Sequence, residues 1–160
     1  NFYSFWYHFV FANKTYYELL GEEASAEQIM QGMSDYMGKV FEQICMQYML
    51  RQARAGQLPF VPKDIGRWWG NNPKKRSQDD MDILCLNYDG TAAIFCECKF
   101  RNEPFDMKQY NDLFAAADIF KKPKERYYYI FSKGGFNASV QEQAAKDGVK
   151  LVGLKELFTN

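Results

Sequence analysis

Asp82 lies inside an otherwise apolar run, Met81-Asp82-Ile83-Leu84-Cys85-Leu86, and fourteen residues separate it from Glu97-Cys98-Lys99. Both stretches read as strands, over 81–88 and 91–100, joined by the hairpin dipeptide Asp89-Gly90. Side chains two apart on a strand share a face, so Glu97 and Lys99 point one way while Cys96, Cys98 and Phe100 point the other. A charge within a central strand is costly unless it is paired or bound to a metal, and here two consecutive strands each carry one. Two carboxylates converging on adjacent strands make an oxygen-rich site suited to Mg²⁺ or Mn²⁺, hard cations that take water as their remaining ligands. A neighbouring lysine can help deprotonate an attacking water, or neutralise charge on a pentavalent phosphate transition state.

The elements that must position these residues follow from the hydrophobic pattern. Residues 1–20 read as an aromatic helix with a break near Asn13-Lys14. Ser25-Ala26-Glu27-Gln28 has the form of a capping box and predicts a short helix ending near Gly32. Ser34 or Asp35 then caps a longer helix to about Arg54, with Gly56 as its stop. In that helix Met37, Val40, Phe41, Ile44, Cys45, Tyr48 and Met49 form one apolar stripe, and Glu42 falls near its edge. If this helix packs on the hairpin, Glu42 supplies a third carboxylate.

Pro59 and Pro62 end helical structure. Residues 65–70 predict a short strand, and 71–78, with Lys74-Lys75-Arg76, an exposed loop. Beyond the hairpin, 106–120 has a helical pattern, 126–131 a strand, 137–146 a helix, 149–152 a strand and 154–158 a short closing helix. Strands alternating with helices imply right-handed crossovers and a mixed sheet covered on both faces.

Composition bounds the partners. Twenty Lys+Arg balance twenty Asp+Glu, which excludes a generally basic nucleic-acid binder held by bulk electrostatics but leaves room for a local basic surface. No apolar run approaches the roughly 18–20 residues of a membrane span. Cys45, Cys85, Cys96 and Cys98 form no CxxC pair, and the one histidine, His8, cannot complete a zinc site of the usual spacing. These features predict a cytoplasmic, disulfide-free protein. The chain opens Asn1-Phe2-Tyr3-Ser4 without an initiator Met, which fits a segment of a longer polypeptide.

Asp82 followed by Glu97-Cys98-Lys99 resembles the D…ExK signature of the PD-(D/E)XK nuclease superfamily, and Glu42 matches that superfamily's frequent helical acidic residue. A wider series recurs in order: Phe5-Trp6-Tyr7, Tyr36-Met37-Gly38-Lys39-Val40-Phe41-Glu42, Ile65-Gly66-Arg67-Trp68-Trp69, the hairpin, and Phe131-Ser132-Lys133-Gly134-Gly135-Phe136. This series resembles the nuclease-like C-terminal domain attached to archaeal-type P-loop ATPases. Met81 departs from the family pattern, which has Pro before the aspartate. The resemblance implies an α/β fold: a restriction-endonuclease-like mixed sheet with a central hairpin, flanked by helices and preceded by an N-terminal helical segment. It implies a division into an aromatic segment, 1–33, and a nuclease-like domain, 34–160. It makes Glu42, Asp82 and Glu97 metal ligands for Mg²⁺ or Mn²⁺ and Asp82, Glu97 and Lys99 the catalytic set for hydrolysing DNA phosphodiesters. No GxxxxGK[ST] loop occurs, so an ATP-binding module would lie upstream of Asn1.

Other readings stand beside these. Asp82, Glu97 and Lys99 can be an ion-pair set that blunts a sheet edge, and Glu42 a solvated helix-edge charge. Lys74, Lys75 and Arg76 can track a phosphate backbone or belong to a mobile surface loop. Gln109 borders the site in some superfamily members, although solvation is the commoner fate of such a residue. Trp68-Trp69 can stack on bases or split between core and rim. The aromatic segment is a helical floor, a surface facing an ATPase or a homo-oligomer contact. A catalytically silent module that docks partners or regulates a linked ATPase is the alternative function.

Overall fold

Residues 2–72 and 77–158 are described by the structure, a computed structural model. The chain divides into two compact units, Asn1–Lys39 and Val40–Asn160. In the first, short helices α1 (Phe2–Phe5) and α2 (Lys14–Leu20) are linked by helical turns of wider and then tighter pitch over 6–13. Phe9 is its buried centre, with ring contacts to Phe5, His8 and Tyr36. Gly32 lets the Phe9 ring lie against the backbone, since a Cβ there would meet Cε1 at 3.0 Å.

Helix α3 runs unbroken from Glu22 to Arg54, where the sequence predicted two helices. Ser25 does not cap; its hydroxyl donates back to the carbonyls of Gly21 (2.6 Å) and Tyr17 (3.2 Å). A serine that bonds to the preceding turn is compatible with a helix interior, and Ser34 likewise lies within the same helix. Gly56, with φ 65°, follows its end.

In the second unit five strands form one mixed sheet among the described residues, in the order β1 (Asp64–Asn72), β2 (Ser77–Leu86), β3 (Ala92–Lys99), β4 (Glu125–Ser132) and β5 (Lys150–Gly153). The β1–β2 and β2–β3 pairs are antiparallel, and β3–β4 and β4–β5 are parallel. Helix α4 (Met107–Ala117) makes the β3-to-β4 crossover and α5 (Ala138–Asp147) the β4-to-β5 crossover. The α/β architecture that the sequence predicted, a mixed sheet with a central hairpin flanked by helices, is present.

Both faces of the sheet are covered. Phe41, Cys45, Tyr48 and Met49 of α3 pack with Ile83, Cys85, Ile94, Cys96, Cys98 and Phe131 on one face. Leu113, Ala117 and Tyr110 of α4 and Val140 of α5 pack with Phe95, Leu84 and Ile130 on the other. Each large side chain taken fully out of water contributes about 1.5–3 kcal/mol. The four cysteines are buried free thiols on the α3 face. Arg126 ties off the end of α4 by donating to the carbonyls of Ala117 and Phe120.

Two further predictions are corrected. Asn71 and Asn72 pair with Gln78 and Ser77, so β1 and β2 extend into the segment predicted to be a loop. The sequence Asn71-Asn72 and Ser77-Gln78 contains no apolar residue, so no hydrophobic period marks this part of the ladder. Residues 154–158 make hydrogen-bonded turns, with the Phe158 N–H on the Lys155 carbonyl at 3.2 Å, and not a helix. An i→i+3 bond closes a turn; five residues hold too few i→i+4 bonds to extend a helix.

The segment leaving β3 is clamped by the Lys133-Gly134-Gly135 turn. Lys133 N–H donates to the Lys99 carbonyl (3.0 Å), its Nζ to Asn102 Oδ1 (2.8 Å), and Phe105 N–H to the Gly135 carbonyl (2.9 Å). At Gly134 a Cβ would fall 2.5 Å from the carbonyl oxygens of Asn102 and Glu103, so only glycine allows this approach. Gly134→Ala is therefore expected to destabilise the fold by about 1–3 kcal/mol, read as a lower urea midpoint; an unchanged midpoint would show that the clamp is not tight.

Candidate functional site

The site begins where β2 and β3 part. Their ladder runs from Leu86↔Ala93 to Ile83↔Cys96 and goes no further. Beyond that point β2 stays paired with β1 down to Ser77, while β3 continues beside β4 to Lys99↔Ser132. The β1–β2 register also shifts there: Gly66 faces Leu84 and Trp68 faces Met81, so Asp82 and Ile83 together stand opposite Arg67. This bulge bends β2 away from β3. It also puts Met81 and Leu84, three residues apart, into the same α4-side core.

A buried backbone N–H without a partner is costly. At the fork the Cys98 N–H finds one in the Asp82 carboxylate, which accepts through Oδ2 at 2.8 Å. Asp82 thereby bridges the two strands where their ladder stops. Glu97 and Lys99 flank Cys98 on β3, and the Lys99 ammonium donates to Glu97 Oε1. The Glu97 side chain keeps 21 % of its exposure and that of Lys99 34 %. The fork thus brings Asp82, Glu97 and Lys99 together.

Glu42, at the α3 edge, pairs with Arg67 (Oε2 to Nη1, 3.6 Å), and Arg67 donates from Nη2 to Asp80 Oδ2 at 2.7 Å. The acids perturb one another. Burial, then the charge of Asp82, push Glu97 from an ordinary 4.5 up to about 7, against the pull of Lys99. Burial raises Asp82 too, opposed by the Cys98 N–H and Lys99. Glu42 is raised by burial and by Asp82, against Arg67. Burial acts against the Lys99 charge, yet Glu97 and Asp82 outweigh it and hold its pKa above the ordinary value.

Glu97 and Lys99 line a cleft of about 520 Å³ with Asp79, Asp80, Arg101, Lys108, Gln109, Asp112 and residues of the inner α4 face. Gln109 helps form both the helix and the cleft. Its Oε1 accepts the Asp106 N–H and its own N–H donates to Asp106 Oδ1, both at 2.9 Å, closing a capping box. Its Nε2 is buried without a hydrogen-bond partner among the described residues. The Ser132 hydroxyl, on the residue paired with Lys99, is in the same condition. Lys74, Lys75 and Arg76 lie outside the described residues.

Sequence reading missed Arg67, Asp79, Asp80 and Arg101 as site neighbours. The run Asp79-Asp80-Met81-Asp82 was a visible signal, obscured because the strand was expected to begin at Met81. Asp106-x-x-Gln109 likewise has the spacing of a capping box.

The donor set consists of oxygen atoms, which suits Mg²⁺ or Mn²⁺, and its carboxylate pKa values are raised first by burial and then by neighbouring acids, against the pull of Lys99 and Arg67. No three His, Cys, Asp or Glu side chains form a metal-binding group among the described residues. Asp82 and Glu97 are the two carboxylates at the fork, while Glu42 feels the charge of Asp82 and is engaged with Arg67.

Residues 6–112, which include most of the aromatic segment, the fork and the first half of α4, match the DUF234 family, described as "Archaea bacterial proteins of unknown function". The chain belongs to this family. The DUF234 chain is 27% identical over 140 residues to "Uncharacterized protein MJECL04" of Methanocaldococcus jannaschii, a match covering 83% of this chain and 29% of that relative. It thus spans less than a third of that protein's length. Among solved structures it is similar to protein VC1899 from Vibrio cholerae, with a TM-score of 0.56 and 14% identity over 85% of this chain and 33% of the other. That likeness concerns the fold. A repair endonuclease from Pyrococcus abyssi aligns with a TM-score of 0.45 and 11% identity, over 71% of this chain and 46% of the other. No helix among the described residues is long and apolar enough to cross a membrane.

Because Glu97 binds its proton more tightly folded than unfolded, its contribution to stability is lost as pH rises from about 4.5 through 7 and stays lost above. Glu97→Gln removes this liability. Without divalent ions, the variant is expected to gain on the order of 1–3 kcal/mol relative to the unsubstituted chain between pH 5 and 8. Urea melts at four pH values check this, and a pH-independent difference between the proteins would refute it.

Proposed function

We propose that this chain is a metal-dependent phosphodiesterase domain acting on DNA. The observation that carries the reading is the fork, where a β2 carboxylate anchored on a β3 amide meets the carboxylate and ammonium of Glu97 and Lys99. Asp82 and Glu97 would hold a divalent cation. Such an ion supplies Lewis-acid chemistry, polarising a phosphoryl oxygen and lowering the pKa of an attacking water.

The protein's own groups divide the remaining work. The Cys98 N–H fixes the Asp82 carboxylate, so its orientation does not have to be found when substrate arrives. Lys99 keeps its proton, which favours charge neutralisation at the phosphate over service as a general base. Its Nζ can also give a proton to a leaving oxygen. Arg67 restrains Glu42 and Asp80, and Arg101 and Lys108 add positive charge along the cleft, the latter beside Asp112. The resemblance read in the sequence further suggests that the domain works in one polypeptide with a P-loop ATPase.

A catalytically silent module that docks partners or regulates that ATPase is the second reading. It is favoured by the exposed aromatic residues of the N-terminal unit, among them Phe2, Tyr3, Tyr7 and Phe11, and by the lack of a ready three-ligand group among the described residues.

Incubation with supercoiled plasmid and with single-stranded DNA across a Mg²⁺ or Mn²⁺ titration separates the two. Cleavage is expected to need the ion and to fall by about 100-fold or more in Glu97→Ala and Lys99→Ala. Absence of cleavage by the complete protein, or equal cleavage by Glu97→Ala, would leave the silent module as the surviving reading.

A further inference from the structure

Trp68 and Trp69 are consecutive, yet their surroundings are opposite. Trp68 packs edge-on against Phe120 at 4.7 Å within the α4-side core. Its ring also lies over Gly70, where a Cβ would come within 2.5 Å of it. Trp69 projects on the other side of the strand with 73 % exposure. It stands on the part of the β1–β2 arm that extends past the end of the β2–β3 ladder, paired with Asp80.

Trp69 is more than an exposed ring. With Arg67, Gln78, Asp79 and Asp80 it lines a cleft of about 410 Å³. Asp79 and Asp80 also line the cleft that holds Glu97 and Lys99, so the two share a wall. A single indole set among Arg67, Gln78 and two aspartates offers one flat apolar face and several polar groups to a flat, polar-edged ligand. Every nucleobase has a π-face that can stack on indole, and an amide such as Gln78 can pair with a base edge. A carboxylate such as Asp80 can accept from exocyclic amino groups.

We infer that this cleft is a nucleobase subsite, in which an unpaired base stacks on Trp69 and meets Gln78 and Asp80 at its edge while the neighbouring phosphate reaches the Glu97–Lys99 cleft. The inference rests on the DNA reading above and deepens it. The preferred substrate has an unpaired nucleotide beside the scissile phosphate, and adenine or cytosine is favoured over thymine, which has no amino group.

Binding without turnover tests the subsite separately from the chemistry. Fluorescence anisotropy is measured with the full chain, free of divalent ions, on labelled single-stranded oligonucleotides of dA, dC or dT and on an abasic strand of equal length. Trp69→Ala is expected to weaken binding to dA by about 5- to 100-fold, and Trp69→Phe by much less. On the abasic strand the three proteins should bind alike. Unchanged thermal unfolding of Trp69→Ala would confirm that the loss is local. Equal binding of dA by wild type and Trp69→Ala, a loss that persists on the abasic strand, or no binding of any strand overturns the subsite. Equal affinity for dA, dC and dT overturns the role given to Asp80. If Trp69-dependent binding survives but no metal produces cleavage, the proposed activity fails and the subsite stands. Cleavage that occurs while binding is independent of Trp69 upholds the activity and overturns the subsite.

Discussion

A sheet that loses a ladder hydrogen bond must replace it or leave a polar group stranded, and the hydrogen bond from Cys98 N–H to Asp82 meets that requirement at the β2–β3 fork. Much of the candidate site depends on it. The bulge opposite Arg67 lies where β2 leaves β3 and follows β1, and Asp79 and Asp80 of the departing strand line the cleft with Glu97 and Lys99. Without an acceptor at position 82 the fork would bury an unsatisfied donor beneath two charged side chains. The same carboxylate thus solves a problem of backbone accounting and supplies half of an oxygen donor pair.

The site is charged on one face and dry on the other. Cys96 and Cys98 alternate with Glu97 and Lys99, and their thiols join the α3-side core. That packing holds β3 rigid behind the cleft, and the turn at Lys133 fixes the chain just beyond Lys99. Rigidity matters because burial raises the pKa of all three acids, and the charge of Asp82 raises Glu97 and Glu42 further. A looser frame would let them drift apart into solvent and lose the perturbed protonation that distinguishes them from surface carboxylates.

Sequence alone revealed the centre of the molecule better than its margins. Asp89-Gly90 and the period-two alternation around Glu97 located the hairpin, because the end of β3 alternates buried cysteines with part-exposed charged residues. The union of the two predicted helices into α3 was hidden, since Ser25 can either cap a helix or bond back to Gly21, and the local sequence is the same in both cases. The extended β1–β2 arm was hidden as well: between Asn71 and Gln78 no apolar face marks a strand. Arg67 and Asp80 became site neighbours only through cross-strand register, which a one-dimensional pattern does not contain.

Gln109 joins two structures that are ordinarily independent. Its carbonyl oxygen closes the cap of α4, while its amide nitrogen is buried at the cleft with no partner of its own among the described residues. A ligand that accepted a hydrogen bond from Nε2 would hold the side chain in its capping rotamer and so strengthen the first turn of the helix. Occupancy of the cleft would then be written into the amide exchange of α4, whose rate becomes a reporter of ligand binding even where no bond is broken.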